Sequence, residues 1–236
     1  MNLGNGALLG IQDDGPVAST VDLTFTRSSG EGSLDESQLA GTTPASGQQD
    51  GVYSATLDVS TAFTSTAPNG TVGTDLPGTT ESYSLELSTQ NVSSGLNLLD
   101  PLDATQAGEE ILLKDNGSGG VVGYEDGNAS NEIFTITVSN AGVVTFAYND
   151  QTDPENIYHS DPSSNDEEAF LSLATGESLL VKQTITDQDN DSVTTSGGVN
   201  LGNGALLGIQ DDGPVASTVD LTFTRSSGEG SLDESQ

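Results

Sequence analysis

Asp187, Asp189 and Asp191 alternate with polar residues in the tract ITDQDNDSV, residues 185–193. In a loop, spacing of i, i+2, i+4 turns three carboxylates toward one ion, as in the first half of a calcium loop. The tract is not an EF-hand: its sixth position is Ser192 rather than glycine, and its twelfth is Gly198 rather than glutamate. Calcium takes about six to eight oxygen ligands, so the remaining ones must come from elsewhere in the chain.

A second carboxylate pair offers them. The tract IQDDGPV occupies residues 11–17 and returns at 209–215, placing Asp13-Asp14 and Asp211-Asp212 before a Gly-Pro break. Proline donates nothing to a ladder and fixes the direction of the chain, so the tract reads as a joint between two strands. If the last two strands form a hairpin with its turn at 187–191, the linker pair Asp13-Asp14 enters at the same end. Five carboxylates then converge on one joint, and Asp211-Asp212 wait for the equivalent loop of a following unit. Asp35-Glu36, after the first strand and its glycine-rich turn, are a further pair able to reach the next linker. The bland alternative is a polar turn and a solvated linker, since aspartate is common in turns. Against it, like charges packed this densely cost energy without a cation. The acids of residues 150–168 (Asp150, Asp153, Glu155, Asp161, Asp166, Glu167 and Glu168) form a second crowd, as readily a solvated loop as a site.

Catalytic chemistry has little to stand on. His159 is the only histidine and there is no cysteine. No serine stands in a nucleophile elbow, and His159 has no clear base partner in sequence. Transition metals favour nitrogen and sulfur ligands, which are nearly absent. The stretch NGSGG at 116–120 is a turn rather than a phosphate cradle. The chain therefore reads as a non-enzyme.

The elements that must position these acids come next. Residues 2–38 and 200–236 are identical, which sets a period of 200 − 2 = 198 residues. The chain reads as a window on a tandem array: residues 1–12 the last strand of one repeat, 13–210 one complete repeat, and 211–236 the linker and first strand of the next. The composition holds 36 acidic residues against four basic ones, a formal net charge of -32. Such a surface repels phosphate backbones and anionic headgroups, which disfavours nucleic acid and membrane as partners. Apolar content is 32%, yet apolar residues alternate in the strand period between Gly, Asn, Asp, Ser and Pro clusters. Strands are expected near 17–26, 52–59, 81–89, 96–99, 110–114, 132–138, 142–148, 170–173, 178–186 and 192–209, the last broken by Gly197 and Gly198, with a tight hairpin at Asn140-Ala141-Gly142. A short helical turn near 166–170 is also allowed. The expected fold is all-β, an immunoglobulin-like β-sandwich with extra strands and long loops.

ITDQDNDSV, followed by a strand and then IQDDGPV, resembles the end of the large tandem repeats in bacterial repeats-in-toxin (RTX) adhesins, giant type I secreted proteins of biofilm-forming and marine bacteria. LDESQLAG from Leu34 is similar to their early acidic segment, and YSLELSTQNVSSGL from Tyr83 to their mid-repeat strand. IYHSD at 157–161 is similar to an aromatic or aliphatic-His-Pro-Asp element, with Ser160 where proline is usual. The calcium nonapeptides of those proteins' terminal β-roll are absent. The resemblance implies a cell-adhesion extender domain, extracellular at the bacterial surface. It would be monomeric in isolation, with neighbouring identical repeats as its partners and Ca2+ in its joints. Asp13, Asp14, Asp187, Asp189, Asp191, Asp211 and Asp212 carry over as ligands. The competing reading is a carbohydrate- or partner-binding sandwich. It lacks tryptophan and has only Tyr124, Tyr148 and Tyr158 outside the obvious strand cores.

Overall fold

Alternating apolar residues in the middle of the chain become the largest sheet. The computed structural model describes residues 15–36, 51–64, 79–103, 105–150, 155–161 and 167–211, and the structural statements below concern these residues. Among them there are strands and one short 3₁₀ turn, Ser60–Ala62, and no α-helix. β3 (Ser54–Asp58) and β6 (Val92–Leu99) form the edges of a six-stranded antiparallel sheet. Between them lie β7 (Ala107–Asp115), β8 (Val121–Glu125), β9 (Asn128–Val138) and β10 (Val143–Tyr148), in the order β3-β10-β9-β8-β7-β6. Side chains alternate across a pleated strand, and β10 accordingly alternates half-buried and buried along its length. Phe134 and Phe146 meet edge to face at 5.0 Å, both fully buried.

The turn at 139–142 joins β9 to β10. Ser139 N–H donates to Val143 O, and Ser139 Oγ accepts from the N–H groups of Ala141 and Val143. Gly142 has φ +78°, the left-handed region that favours glycine. A Cβ there would stand 3.0 Å from Tyr83.

A second sheet is built on β12 (Leu179–Thr186). β5 (Thr80–Leu87) pairs antiparallel along all of its length, and β13 (Ser192–Thr194) and β14 (Val199–Asn200) share its other edge. A third sheet holds β11 (Glu168–Ser172), β15 (Asn203–Gln210) and β2 (Ser33–Asp35), with β15 in the centre. The pairing of β15 with β2 is parallel, Ile209 opposite Leu34. Leu206, Leu207, Gly208 and Ile209 are four consecutive buried residues, as befits a strand covered on both faces. β1 (Thr20–Val21) pairs with β4 (Phe63–Thr64). β11 packs on β6, β5 on β9, and β2 on β3 and β10, so the sheets close over one continuous core. The fold is an all-β sandwich with additional strands.

Three expectations are corrected. The strand foreseen over 17–26 shrinks to β1, because Asp22 Oδ1 accepts from Thr24 N and Thr24 Oγ1 and folds the chain into a turn that leaves Leu23 82% exposed. The strand foreseen over 192–209 breaks at Gly197-Gly198 as expected, between β13 and β14, but breaks again before β15: β13 and β14 complete the hairpin with β12, and β15 crosses to another sheet. Residues 168–170 are strand rather than helical turn.

Candidate metal centre

The hairpin from β12 to β13 closes at Thr186 opposite Ser192, leaving residues 187–191 as its turn. Asp187 N–H donates to Asp191 O, and Asn190 N–H to Asp187 O at 3.3 Å. Asn190 takes φ +76°, which asparagine tolerates better than most residues. Asp191 N–H donates to Asp187 Oδ1 at 2.9 Å. The turn therefore coils on itself, and Asp187, Asp189 and Asp191 each present an oxygen within 4.8 Å of the others.

Asp187 is only 6% exposed, and its Oδ2 is buried without a hydrogen-bond partner. A buried, unsatisfied carboxylate oxygen is costly, and two neighbouring carboxylates raise the cost. The facing Asp189 carboxylate, then burial, push Asp187 above the ordinary aspartate range; the Asp191 N–H works the other way. A proton or a cation relieves this arrangement. At neutral pH a hard divalent ion is the more effective of the two, and an all-oxygen donor set suits calcium.

The incoming chain meets this turn. A side-chain carbon on Gly15 would lie 3.8 Å from Asp191 Oδ2. Further in, Ser19 Oγ donates to Gln183 Oε1 at 2.5 Å, and Gln183 Nε2 donates to Tyr83 OH and Glu81. The residue after Asp14 is thus against the carboxylate turn. Asp13, Asp14 and Asp212 themselves lie outside the described residues.

A second group forms where β2 and β15 end side by side. Glu36 N–H donates to Gln210 O at 3.1 Å, and Asp211 N–H to Glu167 O. The strap 155–161 lies across β6, with Tyr158 N–H on Asn97 O and Leu99 N–H on Asn156 O, and carries His159. Glu36, His159 and Asp211 each offer a ligand atom within 4.8 Å of the others. Glu36 Oε1 accepts from Tyr148 OH at 3.1 Å and Ile157 N–H at 2.8 Å. Its Oε2 faces His159 Nε2 at 3.4 Å. Burial pushes the Glu36 carboxyl up, against His159, Ile157 and Tyr148. Burial would lower His159, but the carboxylates of Glu36, Asp211 and Glu167 outweigh it and hold the imidazole above its ordinary value.

The structure therefore brings Asp187, Asp189 and Asp191 together, and separately joins Glu36 to Asp211. Asp35 is not in that second group; it sits in β2, 7% exposed, where its charge bears on Tyr53 and Tyr148. Sequence reasoning considers His159 only as a catalyst and misses its place beside Glu36 and Asp211. Its one signal was an isolated imidazole in a strongly acidic stretch. Glu168 is tied to Arg27 and Ser33, and Glu167 to Ser160 and Asp161.

A family model described as a domain of unknown function, DUF5801, matches residues 32–202, well over half of the chain. The chain belongs to the DUF5801 family. No curated protein and no solved structure matches it. The DUF5801 match takes in Glu36, His159 and the whole 187–191 turn, and stops before Asp211. Within this DUF5801 domain, Tyr124 and Tyr148 are 6% and 2% exposed, so neither ring presents a face for stacking. A groove of about 670 Å³ is lined by Leu98, Pro101, Glu109, Glu125, Asn131 and Glu155 among others, with no aromatic side chain.

Proposed function

We propose that this domain is a calcium-stiffened structural extender of a giant bacterial surface adhesin, projecting an adhesive domain from the cell without catalysis. The observation that carries the reading is Asp187 Oδ2, buried and unpartnered beside Asp189 and Asp191, with the linker residue Gly15 against Asp191. An ion at that turn takes oxygens from residues 187–191 and, one and two residues upstream of Gly15, from Asp14 and Asp13. Linker and hairpin then become one rigid unit. Asp212, in the second linker, serves the following joint in the same way.

The letter-for-letter return of residues 2–38 at 200–236 supports a spacer, whose reach grows with copy number, over a receptor site, which gains little from identical copies. Without calcium, clustered carboxylates repel and the joint bends, which suits a chain exported unfolded. Outside the cell, calcium locks neighbouring repeats. At ~10 mM calcium, an ion held with Kd ~10⁻⁴–10⁻³ M stabilises by roughly 1.4–2.7 kcal/mol. The test compares thermal melting and radius of gyration of the whole chain in calcium and in chelator. A higher melting temperature and a fixed, extended scattering profile in calcium are expected; no change in either overturns the reading.

A further inference from the structure

His159 is the buried group that the calcium reading leaves unused. Its side chain is 6% exposed; Nε2 has only the 3.4 Å ion-pair contact with Glu36 Oε2, outside hydrogen-bond geometry, and Nδ1 has no partner. A buried imidazole with one nitrogen unpartnered and the other poorly aligned costs free energy. What faces it is anionic: Glu36 Oε2 at 3.4 Å, and Asp211 within the same 4.8 Å circle.

The surroundings aim these groups. Glu36 Oε1 is engaged by the Tyr148 hydroxyl and the Ile157 N–H, which leaves Oε2 directed at the imidazole. Partners of that kind orient a metal ligand from behind. Tyr148 is 2% exposed, so the support is rigid. Two ligands at ~2.1 Å from a tetrahedral ion stand roughly 3.4 Å apart, the spacing seen between Glu36 and His159. Calcium takes oxygen almost exclusively. An imidazole nitrogen beside two carboxylates suits zinc and its neighbours instead.

We infer that Glu36, His159 and Asp211 form a binding site for a divalent transition ion of the zinc class, separate from the oxygen-only turn at 187–191. The imidazole changes which ion is expected where Glu36 and Asp211 meet. The three ligands come from the end of β2, the strap across β6 and the first residue after β15. An ion there ties the exit of the last strand to the body of the domain and fixes the direction in which the chain leaves. Three protein ligands leave a fourth position to water. The site stands whether or not the 187–191 turn holds calcium.

The test uses the intact, tag-free chain, stripped of metal and held in ~10 mM calcium so that oxygen sites are filled. Zinc is titrated while the ring resonances of the single histidine are followed by NMR and the heat by calorimetry. One equivalent of zinc is expected to shift the imidazole signals, with Kd at least about tenfold weaker in His159→Gln and Glu36→Gln and unchanged in Asp189→Asn. Imidazole signals that ignore stoichiometric zinc overturn the inference, whatever the variants do. Zinc binding that survives His159→Gln, or zinc displaced one for one by calcium, overturns it as well. Loss of calcium-dependent melting with the zinc shift intact removes the calcium reading alone; the reverse result removes this one alone.

Discussion

Ser19 and Gln183 are joined by a 2.5 Å hydrogen bond across 164 residues of sequence. Gln183 is 2% exposed and belongs to β12, the strand that leads into the 187–191 turn. The bond therefore fastens the incoming linker to the element that presents the carboxylates. Ser19→Ala strips Gln183 Oε1 of its donor inside the protein. Stability should fall by about 1–3 kcal/mol in denaturant unfolding, and calcium affinity should drop with it. An unchanged unfolding midpoint would mean that the bond does not hold the linker.

Removing charge from the turn should act in opposite directions with and without calcium. In chelator, Asp187→Asn relieves repulsion from Asp189 and Asp191, so its melting temperature should equal or exceed that of the parent. In calcium the parent should gain stability and the variant should not. Paired melts of both proteins in both buffers check this. A variant that keeps the full calcium-dependent gain would remove Asp187 from the site.

The metal-free protein should lose stability as pH rises. Asp187, Glu36 and His159 all bind protons more tightly folded than at their ordinary values of 3.8, 4.5 and 6.5. Stability from a raised group is fully present below the ordinary value and is lost as pH climbs through the folded one. The groups facing them are Asp189 and Asp191 in the turn, and Asp211, Glu167, Tyr148 and the Ile157 N–H at the second cluster. Asp22, Asp103 and Glu177 are shifted down, so their contributions fade only at lower pH. Melts in chelator from about pH 5 to 8 should decline steadily, and calcium should flatten the part that belongs to Asp187. A rise across that range would contradict the assignment.

Gly123 should accept no side chain. A Cβ there would come within 2.3 Å of the Phe134 ring, and Phe134 is locked edge to face with Phe146. Overpacking of this kind costs about 1–3 kcal/mol or more. Gly123→Ala should lower the unfolding midpoint by that amount, with the calcium response of the folded protein intact. Undiminished stability would show that the ring has room to move.

The sandwich was legible where one face of a strand is buried and the other is wet. β10 and β12 alternate cleanly and fall close to their expected bounds, whereas β9 begins four residues early at Asn128 and buries Ile133 and Phe134 side by side. β8 was missed because Gly123 and the NGSGG turn look like loop; its glycine is there to admit Phe134, which one strand's sequence does not reveal. β2 was missed because three residues are too few to show a period, and its pairing partner, β15, lies about 175 residues on. The turn at 187–191 was readable because its three carboxylates lie within five residues of one another. The Glu36, His159 and Asp211 cluster was only half readable, since a parallel pairing and a strap assemble it from three distant places.

The parallel pairing of β2 with β15 has a mechanical meaning. In the tandem array proposed above, tension would enter through the residues before β2 and leave through those after β15. Two parallel neighbours pulled from opposite ends slide along each other instead of peeling apart. The bonds Gly208 N–H to Gly32 O and Glu36 N–H to Gln210 O then carry the load together. Under such a load this short ladder would have to shear before β2 and β15 could part.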